Sequence, residues 1–92
     1  MENKINEFRD NIIKIDLQIL NLLKDRFNIS EQIGQIKKEH NLPIYDQNRE
    51  KELLNTLKSN KIIKDAYLES IWYEIMFISR CIQKDLLQEK NT

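Results

Sequence analysis

Apolar residues recur along the first part of the chain in alternating steps of three and four. Positions 5, 8, 12, 15, 19, 22, 26, 29, 33 and 36 follow this register, and nine of the ten are Ile, Leu or Phe. That is a sustained heptad seam, the signature of a long helix. Arg26 is its single exception. Ile13, Leu20, Leu23 and Phe27 widen the stripe on one side, which predicts packing against more than one neighbour. The helix ends near His40, ahead of Asn41 and Pro43. A second helix is predicted to start at about Asp46, a good N-cap residue, and to carry Leu53, Leu54 and Leu57 to a polar break at Ser59 and Asn60. A third begins near Asp65 and places Leu68, Trp72, Ile75, Ser79, Ile82 and Leu86 at heptad spacing, with Ile71, Met76 and Gln83 alongside. No segment needs to be a strand, so the expected class is all-α.

The three helices are of unequal length. At 1.5 Å per residue they measure about 50, 20 and 35 Å. The first overhangs either partner and leaves its seam in water, an apolar patch too large for a free-standing monomer. A two-fold dimer in which the long helices pair antiparallel and the shorter ones cover them removes the problem. The expectation is an interlocked homodimer. Gly34 inside the long helix costs roughly 1 kcal/mol relative to Ala. Close approach of another backbone or a ligand accounts for it, and so does simple tolerance.

Composition narrows the class of function. Ninety-two residues are read as one domain, residues 1–92. Fifteen basic and fifteen acidic residues are interspersed, leaving no basic block for nucleic acid. The start, MENKINEF, lacks the apolar stretch of a signal sequence, and no run approaches the roughly 20 apolar residues of a membrane span. A single cysteine, Cys81, forms no internal disulfide and reads as packing, while His40, the one histidine, reads as a surface residue beside a loop. The expectation is a soluble cytoplasmic protein with no metal, membrane or nucleic-acid partner.

The chemistry lies in polar residues on stripes that ought to be apolar: Arg26, Lys37, Asp46, Arg49, Glu50, Ser79 and Gln83. Arg26 and Lys37 are separated by about 20° of azimuth and about 16 Å of rise, so two long cations converge on a small anion between them. Arg9 lies on the flanking stripe but about 25 Å from Arg26, and reaches the same pocket only from a second, antiparallel chain. Each residue alone has a plain reading. Asp46 is a cap, Arg49 and Glu50 are first-turn charges, Ser79 bonds back to its own helix, and Arg9 is a surface residue. Arg26 is harder to dismiss, because an unpaired buried charge costs several kcal/mol. The set tips the balance. The chain has eleven Lys and only four Arg, and Arg9, Arg26 and Arg49 all fall on or beside packing faces. Arginine is favoured where a planar carboxylate must be gripped.

These residues, in this order, resemble the all-helical class of chorismate mutases. The resemblance runs from Arg9 in "FRDNI" through Arg26 and Lys37 in "KDRFNISEQIGQIK" to Asp46, Arg49 and Glu50 in "PIYDQNREKEL" and Ser79 and Gln83 in "ISRCIQ". It implies conversion of chorismate to prephenate by an intramolecular Claisen rearrangement, a step in phenylalanine and tyrosine biosynthesis that needs no cofactor. It further implies that Arg26, with Arg9 of the other chain and Ser79, holds the two substrate carboxylates. Lys37 and Gln83 would donate to the ether oxygen, Glu50 and the backbone at Asp46 would hold the ring hydroxyl, and Arg49 would border the ring and help set Glu50. Two other functions fit the same residues less fully: an isochorismate-pyruvate lyase, which resembles this family and uses similar cations, and a non-catalytic helical dimer that regulates a larger shikimate-pathway enzyme.

Overall fold

The structure, a computed structural model, describes residues 1–90, and side chains through residue 87. Three helices account for nearly all of it: α1 (Glu2–Glu39), α2 (Gln47–Ser59) and α3 (Asp65–Lys90). The described residues contain no strand, as the patterning requires.

The sequence-predicted boundaries hold for local reasons. α1 ends on His40, and Asn41 then adopts a left-handed φ of 55°. The Leu42 N–H donates to the Lys37 carbonyl at 2.8 Å and the Asn41 N–H to that of Lys38 at 3.5 Å, a Schellman-type closure in which Asn takes the place usually held by Gly. Pro43 follows and cannot continue the helix. At the start of α2 the Asp46 carboxylate accepts from the Arg49 N–H at 3.1 Å, so Asp46 is the N-cap. α1 begins at Glu2, ahead of the first seam residue, Ile5, because nothing between them breaks a helix and an acidic first turn suits the helix dipole.

α3 packs against both other helices, more extensively against α1. The molecule is long and flat, 57 × 32 × 15 Å, and its long dimension is that of α1 itself. Its apolar interior is small. Leu54, Leu68 and Met76 are buried together, with Leu53, Leu57 and Trp72 packed against them, and Leu86 is buried beside α1. The heptad seam of α1 stays in solvent: Ile12, Ile15, Ile19 and Leu22 are 55%, 54%, 47% and 67% exposed. Four buried apolar side chains among the described residues give little driving force for a domain of this size, while a face of branched apolar residues remains unused. No helix among the described residues is long and apolar enough to cross a membrane.

The contact between α1 and α3 is unusual in composition. Ser30 and Gly34 are the buried residues of α1, and they meet Ser79, Gln83 and Leu86 of α3. A Cβ placed on Gly34 would lie 2.8 Å from Gln83 Cγ, 3.2 Å from Gln83 Cβ and 3.0 Å from Leu86 Cδ1. Close approach is therefore the reason for Gly34, and what approaches is the base of a polar side chain. The buried strip between these helices is built around hydroxyls and an amide, not a greasy seam.

Candidate active site

A cavity of about 350 Å³ opens between the C-terminal half of α1, the start of α2 and the middle of α3. Arg26, Lys37, Asp46, Arg49, Glu50, Ser79 and Gln83 all line it, seven of the eight residues selected from the sequence. Arg9 does not. It sits in the exposed N-terminal part of α1, where the helical rise places it. Apolar walls come from Ile29, Ile33, Ile44, Leu53 and Met76.

Each polar group is held by a specific neighbour. Arg26 Nη1 donates to Ser79 Oγ at 2.6 Å, and Ser30 Oγ donates to the same oxygen at 3.1 Å. Ser79 thus bonds across the helix interface rather than back to its own carbonyl. Burial pulls the Arg26 guanidinium down from the usual arginine range, and attraction to Glu50 opposes that shift. A cation stripped of part of its water, with a neutral hydroxyl as its direct partner, is a receptive site for an anion. Lys37 Nζ donates to the Ile44 carbonyl at 2.8 Å, a contact made possible by the turn that folds Leu42 back over Lys37. An ammonium has two further N–H groups to offer.

Glu50 is placed by a residue the periodicity passed over. Arg80 Nη1 lies 2.6 and 2.5 Å from its two carboxylate oxygens. Arg49, the residue expected to help set Glu50, lines the same cavity but forms its ion pair with Glu52, at 4.0 Å and largely in solvent. Arg80 was legible only through the scarcity of arginine, being the fourth of four, next to Ser79 in "ISRCIQ". Ser30 was legible as the residue one helical turn from both Arg26 and Gly34. Gln83 completes the site, and its amide oxygen is buried without a hydrogen-bond partner. A buried polar group with no protein partner, at the wall of a cavity, is open to what the cavity holds.

The lining carries four cations, Arg26, Lys37, Arg49 and Arg80, against two carboxylates, Asp46 and Glu50. The excess of two positive charges suits a small dianion. The model of the family described as chorismate mutase type II matches residues 8–84, a span that takes in every candidate site residue from Arg9 to Gln83. The chain belongs to the chorismate mutase type II family. It is 31% identical to a chorismate mutase of Methanocaldococcus jannaschii, over 97% of this chain and 93% of that protein. It is 36% identical to a bifunctional chorismate mutase/prephenate dehydratase of Aquifex aeolicus and 37% identical to one of Buchnera aphidicola, but spans only 23% of the length of each. Among solved structures, a conserved hypothetical protein from Pyrococcus furiosus superimposes with a TM-score of 0.73 at 39% identity, over 87% of this chain and 95% of that one. Relatives thus include both a protein of about this length and larger bifunctional enzymes, of which this chain spans about a quarter.

Proposed function

We propose that this protein is a chorismate mutase, a single domain over residues 1–92 that rearranges chorismate to prephenate in aromatic amino acid biosynthesis. One observation carries the reading: a cavity with two excess positive charges also gathers a lysine, a buried amide and a carboxylate from three different helices. The rearrangement is unimolecular and needs no nucleophile. A protein accelerates it by holding the compact conformer and by stabilising negative charge that grows on the ether oxygen as the carbon–oxygen bond breaks. In this reading Arg26, steadied by Ser79, takes one substrate carboxylate. Lys37 and Gln83 donate to the ether oxygen. Glu50 and the backbone of Asp46 receive the ring hydroxyl, and Arg49 closes the rim over the ring.

The second carboxylate needs another cation. We assign it to Arg9 of a second copy of the chain, in an interlocked homodimer whose antiparallel α1 helices pair through Ile12, Ile15, Ile19 and Leu22. The exposed seam supports this assembly, since pairing it buries the apolar face that the monomer leaves in water.

The direct test is a proton NMR time course of the purified protein with chorismate. Rapid appearance of prephenate without pyruvate is the expected result. Release of pyruvate from isochorismate would make the protein a lyase, and inertness toward both substrates would leave a binding module.

Gly34 provides a second check. Gly34→Ala adds a methyl that must displace the Gln83 side chain at its base, where it is least able to swing aside. Overpacking costs about 1–3 kcal/mol, partly offset by the better helix propensity of Ala. The net loss of up to about 2 kcal/mol should lower the melting temperature by no more than about 15 °C, while kcat, measured well below that transition, falls by roughly tenfold or more because misplacement on the ångström scale is enough to weaken a donor. Unchanged kcat would mean that Gln83 tolerates the shift and that the close approach serves packing alone.

A further inference from the structure

Glu50 has no support from its own helix. A glutamate side chain has three rotatable bonds, and Arg49, its neighbour in sequence, is engaged with Glu52 where both side chains are mostly in solvent, at 67% and 72% exposure. The hold on Glu50 comes from α3. Arg80 contacts both carboxylate oxygens through one nitrogen, and the two side chains are only 26% and 23% exposed. Arg80 is itself held on a further side by the Tyr45 ring, whose centroid is 5.1 Å from the guanidinium carbon. Tyr45 immediately precedes the cap residue of α2, so the arrangement ties the entry of that helix to α3. Arg80 also shares its helix with Ser79 and Gln83. A carboxylate fixed by Arg80 is thereby held in register with those two groups.

We infer that Arg80 is a positioning residue that aims the Glu50 carboxylate at the ring hydroxyl of the substrate, and so sets the preference for a hydroxyl-bearing ring. The inference rests on the assignment of Glu50 to that hydroxyl. Its physical basis is preorganisation. Charge-assisted contacts from a half-buried arginine remove the rotational freedom of the glutamate before substrate arrives, so none has to be lost on binding. Each carboxylate oxygen still has lone-pair capacity for a hydroxyl donor. A site with a fixed polar acceptor penalises an analogue that leaves it unpaired far more than a floppy acceptor does.

The test compares steady-state kinetics on chorismate and on its analogue lacking the ring hydroxyl, for the wild-type protein, Arg80→Gln and Arg80→Lys. The wild type should prefer chorismate. Arg80→Gln should lose roughly ten- to hundredfold in kcat/KM on chorismate and little on the analogue, so that the preference collapses. Arg80→Lys, which keeps the charge and not the geometry, should recover part of the loss. Equal losses on both substrates, or no loss on chorismate, overturn the role of Arg80 while the wild-type preference stands. A wild type that converts both equally well removes the hydroxyl from Glu50 and takes the proposal with it. Should Arg80→Gln not fold, Tyr45→Leu loosens the guanidinium without unpairing a buried charge. It should reduce the same preference roughly two- to fivefold, and an unchanged preference there overturns the proposal.

Discussion

Gln83→Ala should lower kcat by roughly two orders of magnitude and leave the stability of the protein almost unchanged. The two halves of this expectation come from different atoms of the same side chain. The buried amide oxygen has no protein hydrogen-bond partner, so truncation breaks no side-chain hydrogen bond there and takes a polar group out of a buried position. Against this, truncation gives up the packing of Gln83 Cγ against Gly34. The two effects oppose each other, and the net change in unfolding free energy should stay within about 1 kcal/mol. Activity has no such offset. Loss of one donor aimed at charge that develops only in the transition state costs about 3 kcal/mol. Saturating-substrate kinetics and a urea midpoint on the same preparation decide the matter. A variant that unfolds but retains specific activity in its folded fraction would make Gln83 a structural residue. A variant with normal kcat would remove it from the reaction altogether.

A polar amide held on an otherwise apolar helix face, beside a cavity, is the mark of a group kept for chemistry. It also explains what could be read from the sequence. Heptad periodicity identifies the stripe of each helix that faces a neighbour, so any polar residue on that stripe stands out. Arg26, Lys37, Glu50, Ser79 and Gln83 were all found in this way, and the cavity gathers every one of them. The helix ends were legible because Asp46, Asn41 and Pro43 act locally, through a cap, a left-handed turn and a missing donor. Pairing was not legible. Periodicity marks the root of a side chain, while a long arginine reaches around the edge of its helix to a partner set by tertiary packing. Arg49 stands next to Glu50 in sequence and Arg80 thirty residues away, and only the packing of α3 against the start of α2 brings Arg80 to the carboxylate. Gly34 shows the same limit. The residue type was evident, but its reason lies in Gln83 and Leu86, some fifty residues away along the chain.

Mixing two inactive variants should restore activity. Arg9→Ala and Arg26→Ala are each expected to lose about 2–5 kcal/mol of transition-state binding, roughly thirty- to several thousandfold in kcat/KM, because each leaves a substrate carboxylate without its counter-ion. The proposed dimer has two sites, each using Arg26 of one copy and Arg9 of the other. When the variants are unfolded together and refolded at equal amounts, half the dimers should be mixed. In a mixed dimer one site receives both intact arginines and the other receives neither, so about one quarter of wild-type activity should return. The distance argument makes this result specific. Arg9 and Arg26 are about 25 Å apart on one rigid helix, too far for both to grip one small dianion within a single chain. If Arg9 acted within its own chain, or not at all, mixing could repair no site and activity would stay at the level of the parents. The same experiment reads out the exposed seam. Ile12→Glu combined with Ile19→Glu would force unpaired carboxylates into the apolar seam that the proposed dimer buries, so chains carrying these substitutions should be monomeric by sedimentation and unable to complement either variant.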